Sequence, residues 1–448
     1  MNTPNASPRH PFRPLRLLTL GFLLGLIGLS AAAQPVIPIL TPTPPSVAGA
    51  PPPITPQAAA LTSPTGWSCD DFPCEDDLDG WLKRLQVPPG FEITRYGQFP
   101  GQPQQITFGP DGRLYATVLE NGTRRGSVYA MNAAGTVERI TAAFESPVGL
   151  AFLPGTDILF VSSRTEEGAG ALWRRTPEGS LILLIDDLPC CRDGVTGQPE
   201  GVIAGPDGFI YLGVSSLSDH AEPTNPQFER HVTPQPNEAS ILRVQPQNGA
   251  IDIYAEGFRE PYDLAFAPDG RLYATDNGTY GGIGDRVLTV TQGGHYGFPF
   301  WRPRGCEDCP PTDYSLDILP DLLPLPPLTL PRGVTVYTGA QFPANYFGSV
   351  FVTLWNGTPE GQRVIRIEPD RVPTDPELLA AFTPEPFVTG LIRPTDVTVA
   401  PDGSLLVADF IYGQVWQVRW TGRIPPTPTP PPTNTLPPVM FATHTPSN

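Results

Sequence analysis

Apolar residues through the middle of the chain fall into short runs separated by turn residues, and one arrangement recurs six times. A proline is followed, after one residue, by Gly, Asp or Gln and then by an apolar stretch. The copies are Pro103-Gln104-Gln105-Ile106-Thr107-Phe108, Pro147-Val148-Gly149-Leu150-Ala151-Phe152, Pro199-Glu200-Gly201-Val202-Ile203-Ala204, Pro261-Tyr262-Asp263-Leu264-Ala265-Phe266, Pro331-Arg332-Gly333-Val334-Thr335-Val336 and Pro394-Thr395-Asp396-Val397-Thr398-Val399. In five copies a second proline stands seven residues after the first: Pro110, Pro154, Pro206, Pro268 and Pro401. Four of these open Pro-Asp-Gly. Proline presets φ and glycine tolerates positive φ, so each is a turn signal. A second strand follows, as in Arg113-Leu114-Tyr115-Ala116-Thr117-Val118, and after most pairs a third, as in Ser240-Ile241-Leu242-Arg243-Val244. Four-stranded units repeating at roughly 40 residues or more are propeller blades. The pattern therefore predicts an all-β fold, a six-bladed β-propeller with four-stranded antiparallel blades. The ring is expected to close where Phe91-Glu92-Ile93-Thr94 joins the last blade beside Gln414-Val415-Trp416-Gln417-Val418, which removes exposed strand edges. Helical periodicity is confined to about Asp76–Leu85.

Composition divides the chain. Its 448 residues include 60 prolines, crowded into 34–65 and 424–448. Such stretches cannot bury enough apolar surface to order themselves, and they favour extended, solvated backbone. The expected division is a signal peptide at 1–33, a Pro/Ala-rich linker at 34–65, the propeller at 66–423 and a Pro/Thr-rich tail at 424–448, both Pro-rich flanks being disordered. The leader is read from Arg9, Arg13 and Arg16, the apolar run Leu17–Leu29 and the small residues Ala31-Ala32-Ala33. It predicts a secreted or cell-envelope protein with no membrane span once the leader is cleaved; an uncleaved anchor is the alternative. A net charge of −17 argues against nucleic acid or an anionic membrane as partner. The six cysteines form three close pairs, Cys69/Cys74, Cys190/Cys191 and Cys306/Cys309. Outside the cytoplasm such pairs read as local disulfides.

Propellers bind ligands at the mouth of the central channel, next to the residues that open each inner strand. The repeat places Gln102, Gln104, Ser146, Val148, Gln198, Glu200, Arg259 to Tyr262, Arg332, Arg393 and Thr395 on that rim. Planar guanidinium forks there would suit a carboxylate-bearing or oxygen-rich ligand; mutual pairing of the rim charges is the bland alternative.

Four segments in one order resemble the soluble quinoprotein glucose/sorbosone dehydrogenases. They are Val87-Pro88-Pro89-Gly90-Phe91-Glu92-Ile93, Ala255-Glu256-Gly257-Phe258-Arg259, Gly294-His295-Tyr296-Gly297-Phe298-Pro299, and Arg393-Pro394-Thr395-Asp396-Val397 running into Pro401-Asp402-Gly403. The resemblance spans about residues 87–420. It implies a six-bladed propeller holding pyrroloquinoline quinone (PQQ) and calcium, in which a base takes the proton of a sugar's anomeric hydroxyl while hydride leaves for the quinone. Carried over by position, Arg259 and Arg393 would contact the quinone, with Arg332 beside them. The histidine that the resemblance puts before the third inner strand is missing from Leu188–Glu200, so the base would fall to Glu200 or Asp193, or to a relocated His220. Glu260 stands where the family has asparagine. Gln198, Tyr262, Glu260 and the adjacent Cys190 and Cys191 would line the mouth, and Asp276 with Asn277 would ligate calcium or cap a turn. Three functions remain open on these residues: extracytoplasmic PQQ-dependent aldose oxidation, a non-catalytic module binding carbohydrate or a protein or polymer partner, with the Pro-rich flanks suiting a displayed domain, and a calcium-dependent lactonase-like hydrolase.

Overall fold

The computed structural model describes residues 73–191, 199–219, 235–279, 284–299, 316–356 and 360–422. The expected leader, linker and tail lie outside them. Six inner strands, Gln102–Phe108, Leu150–Phe152, Pro199–Ala204, Pro261–Phe266, Pro331–Val336 and Pro394–Val399, touch one another in chain order, and the last returns to the first. Each opens an antiparallel blade, and the six together make the β-propeller. In blade 6 the outermost strand is Phe91–Gln98, paired with Gln414–Trp420 in the register Phe91↔Trp420, Ile93↔Val418 and Thr94↔Gln417. The ring closes as the sequence predicts.

The recurring Gly, Asp or Gln has a steric explanation. Gln105, Asp263 and Asp396 point their side chains across the channel and form a clasp. Gln105 Nε2 donates to Asp263 Oδ1 at 2.6 Å, while its Oε1 accepts from Leu150 N (2.7 Å) and Val202 N (3.2 Å). Asp263 Oδ2 accepts from Val334 N at 2.8 Å, and Asp396 Oδ2 accepts from Ile106 N at 2.6 Å. The two carboxyls also bond each other. Three side chains thus reach all six inner strands. The remaining blades carry glycine because the neighbour needs the space. A Cβ on Gly333 would stand 2.2 Å from Asp396 Oδ1, and one on Gly201 2.7 Å from Asp263 Oδ1. Hydroxyls add a second tier between blades: Ser162 donates to Glu200 O at 2.6 Å, Thr353 to Thr395 O at 3.3 Å, and Thr117 to Val148 O.

The core lies between blades, where apolar faces of neighbouring sheets meet. Helix Leu78–Arg84 seals one such seam. Asp77 caps it by accepting from Gly80 N, and Trp81 is fully buried against Tyr412 and Trp416, with ring centroids 6.2 Å apart in each pair. Two features depart from the repeat. Blades 1 and 2 share one sheet because the two-residue strand Phe144–Glu145 pairs with both. A second helix, Pro376–Ala381, is capped by Asp375; at six residues it is too short to leave a period in the sequence. Among the described residues no helix is long and apolar enough to cross a membrane.

Candidate functional site

Glu200, Tyr262 and Arg332 follow the prolines that open inner strands 3, 4 and 5, so the repeat itself carries them to the channel mouth. Arg332 Nη1 donates to Tyr262 Oη at 2.9 Å. Its guanidinium lies over the Tyr262 ring at 4.6 Å and over the Trp355 ring at 3.9 Å, held between two aromatic faces. Tyr262 Oη in turn reaches Gln104 Oε1 at 3.4 Å, from the opposite side of the ring. Arg393 approaches the other edge of Trp355 and donates to Trp355 O at 3.3 Å. Burial lowers its pKa, and the nearby Arg332 charge works in the same direction against Asp409. Among the described residues neither Arg332 nor Arg393 makes a salt bridge.

Glu200 is 1% exposed. Its Oε1 accepts from Ser215 Oγ at 3.2 Å, while Oε2 has no partner among the described residues. Burial, and then the Glu260 carboxylate, push its pKa well above the usual carboxylate range, opposed by Arg332. The result is a buried carboxyl that holds its proton more tightly than a free one, the direction in which burial tunes a carboxylate for acid–base work. Glu260 is also raised by burial, although Arg259 works against the shift. Other polar atoms around the mouth are equally unspent: Gln104 Nε2, Asn277 Oδ1 and Arg332 Nε are buried without a partner among the described residues. Burying polar atoms without partners is costly. Unpaired donors and acceptors thus stand together around the mouth.

Arg259 is placed differently from the sequence expectation. Its guanidinium is buried and pairs with Glu260 and with Asp219, the latter at 3.0 Å. Glu260, expected to face the ligand, spends one oxygen on that pair. Asp276 does not offer a cation site. It accepts from Arg259 N (3.0 Å) and Glu260 N (2.7 Å), and pairs with the buried Arg286 at 2.7 Å. A calcium ion there would have to displace a guanidinium. No group of three or more metal-ligating side chains forms among the described residues. Asp409 repeats the device in blade 6, accepting from Ile392 N at 2.8 Å and Arg393 N at 3.0 Å. These aspartates are what hold the loops carrying Arg259 and Arg393. Arg286 completes the blade-4 support by donating to Gly257 O and Tyr296 O. The lactonase-like alternative asks Glu200, Glu260 and Asp263 to converge on a cation, yet Glu260 pairs with Arg259 and Asp263 belongs to the clasp. Cys190 and Cys191 bring their sulfurs together at the edge of segment 192–198. Asp193, Gln198, His220, Cys69, Cys306 and Cys309 lie outside the described residues. Sequence reasoning missed Trp355. Its signal was positional, for it follows the end of blade 5's second strand, where Leu354 pairs with Pro331.

The clasp separates this mouth from a cavity of about 500 Å³ at the far end of the channel, lined by the turn-side halves of the inner strands. The mouth residues Glu200, Arg259, Tyr262, Arg332 and Arg393 all fall within one matched stretch. Residues 197–414 match the Glucose / Sorbosone dehydrogenase family. The match covers blades 3 to 6, inside the stretch of about residues 87–420 over which the sequence resembles the soluble quinoprotein glucose/sorbosone dehydrogenases. Quinoprotein glucose dehydrogenase B of Acinetobacter calcoaceticus is 23% identical over 245 residues, 44% of this chain and 50% of that protein. The chain spans about half the length of the curated relatives it matches. The PQQ-bound aldose sugar dehydrogenase of Streptomyces coelicolor is 15% identical with a TM-score of 0.53, covering 75% of this chain and 99% of that one. The holo form of the pyranose dehydrogenase PQQ domain of Coprinopsis cinerea is 17% identical with a TM-score of 0.56, covering 75% and 97%. At these identities the solved structures carry the fold, and the chemistry rests on this chain's own side chains.

Proposed function

We propose that the protein is an extracytoplasmic, PQQ-dependent aldose dehydrogenase-like enzyme that oxidises a sugar at the propeller mouth. The observation that carries the reading is the presence, around one mouth, of two half-buried guanidiniums that make no salt bridge among the described residues and a buried carboxylate with an unspent oxygen. Arg332 and Arg393 would receive the quinone's carboxylates, Arg332 stiffened between Tyr262 and Trp355. When bound, the quinone would supply a two-electron acceptor for hydride from the sugar's anomeric carbon. Glu200 Oε2 would take the anomeric hydroxyl proton, in the role the missing histidine leaves open. Asp193, outside the described residues, is the other candidate for that role. Gln104 and Asn277 would hold sugar hydroxyls, and Tyr262 would fix the Arg332 fork. The Arg259–Glu260–Asp219 group would organise the blade-4 loop from beneath. Asp276 fits poorly as a calcium ligand, so no step here is assigned to calcium. The leader and the Cys190/Cys191 pair, joined as a disulfide in an oxidising compartment, support export.

The test is a titration of purified protein with PQQ, with and without calcium, followed by dye reduction over a panel of aldoses. A shifted quinone absorbance together with aldose-dependent dye reduction is expected. Quinone binding without turnover would leave a binding module, and absence of both would remove the reading.

A further inference from the structure

Arg286 opens the third strand of blade 4, Arg286–Val290, and is 2% exposed. Five hydrogen bonds leave its guanidinium, as many as the group has N–H donors. Nε and Nη2 donate to Asp276 Oδ2 at 3.0 and 2.7 Å. Nη1 donates to Asp321 Oδ1 at 3.1 Å and to Tyr296 O at 2.8 Å, and Nη2 also donates to Gly257 O at 3.2 Å. The four partners stand on four separate segments. Gly257 follows strand Ile251–Glu256, Asp276 ends strand Leu272–Asp276, Tyr296 lies in the turn beyond Val290, and Asp321 precedes the outer strand Leu323–Pro324. Burial works to lower the Arg286 pKa, but Asp276 and Asp321 outweigh it and raise it, so the side chain stays a cation.

Two carboxylates and two main-chain carbonyls make a hard oxygen set. Calcium takes such donors and completes a shell of about six to eight oxygens with water. Here the set is closed on a guanidinium, and its position matters to the mouth. Asp276 gives Oδ2 to Arg286 and uses Oδ1 to accept from Arg259 N at 3.0 Å and Glu260 N at 2.7 Å. Through one carboxylate, the charge on Arg286 fixes the loop that carries Arg259 and Glu260.

We propose that Arg286 is a built-in substitute for a bound metal ion. Tethered to the chain, it gathers the oxygens of four segments as a divalent cation would. It holds the blade-4 side of the mouth without calcium, and it covers a divalent-cation site that opens when the side chain is removed. The proposal stands on the structure of blade 4 and holds whether or not the mouth oxidises a sugar.

Calcium titration and thermal unfolding of the quinone-free protein test it. Arg286→Ala leaves two carboxylates without their cation, and in EDTA its Tm should fall on the order of 5 °C below wild type. Millimolar CaCl2 should restore about half of that loss or more, and calorimetric titration should count one more bound Ca2+ than in wild type. Adding Asp321→Asn should weaken the extra site on the order of tenfold. Arg286→Lys, which keeps a cation in place, should be less stable than wild type and take up no extra calcium. The proposal is overturned if Arg286→Ala takes up no more calcium than wild type, if the extra ion binds as tightly after Asp321→Asn, or if calcium raises the Tm of both proteins equally. An Arg286→Ala protein that folds only in calcium supports it. One that fails to fold in calcium, while Arg286→Lys folds, overturns it.

Discussion

Replacing Asp263 by asparagine isolates the electrostatics of the channel clasp. Asp263 and Asp396 are each 3% exposed and bond each other. Burial raises the Asp263 carboxyl from 3.8 to about 7, against the pull of the Val334 and Leu264 amides. Asp396 is pushed well above the usual range by burial and by Asp263. Two like charges at this depth cannot both ionise cheaply, so the pair holds a shared proton. A folded pKa raised above the unfolded one means the unfolded chain gives up its proton first. Stability from this group is therefore whole below about pH 4 and is lost as pH rises towards 7. A shift of about three units at roughly 1.4 kcal/mol each amounts to about 4 kcal/mol. In Asp263→Asn the like-charge neighbour of Asp396 is gone and most of that slope goes with it. The variant starts lower at pH 4.5, because asparagine offers Gln105 and Val334 one acceptor oxygen where they need two, a loss of about 1–3 kcal/mol. The assay is urea denaturation of both proteins at half-unit intervals from pH 4.5 to 8. The stability difference should shrink steadily with rising pH and can change sign near neutrality. Parallel curves would refute the shared proton.

Three further outcomes follow from the site and its supports. Glu200→Gln should keep quinone binding and lower aldose oxidation by about 10²–10⁴-fold, read in dye-coupled turnover, since amide nitrogen cannot accept the proton. Arg332→Lys should weaken quinone binding and fail to restore it despite the retained charge, because an ammonium cannot fill the planar slot between Tyr262 and Trp355; absorbance titration measures this. Asp276→Ala should strand the buried Arg286 charge and cost about 3–5 kcal/mol in thermal or urea denaturation, with no dependence on added calcium.

The architecture was legible because each inner strand announces itself twice, by its opening proline and by a turn at fixed distance. The Gly, Asp or Gln between them could be seen, but its reason could not: that Gly333 makes room for Asp396 is a contact between blades, invisible to local pattern. Glu200, Tyr262 and Arg332 were found at the mouth because the repeat fixes the position after each proline. Arg259 was read from the repeat and Asp276 from its place after blade 4's second strand, but their partners Asp219 and Arg286 come from other strands and loops. A sequence shows which residues reach a rim, not which of them are already spoken for. Trp355 escaped notice because it lies just past the end of a second strand, where no repeated motif marks it.

Strand Phe91–Gln98 completes blade 6 from the far end of the chain, and the backbone bond from Thr421 to Gly90 and its side-chain companion join residues 331 apart. During synthesis this strand emerges ahead of the blades and finds its partner last. Until then its edge, and that of blade 5 which awaits blade 6, are open to other chains. Loop closure of this length makes the final step slow relative to folding of single blades. A chain cut short of Gln414 would therefore lose more than one blade: it would leave the ring unlatched, and the three-residue clasp would have no closed circle to hold.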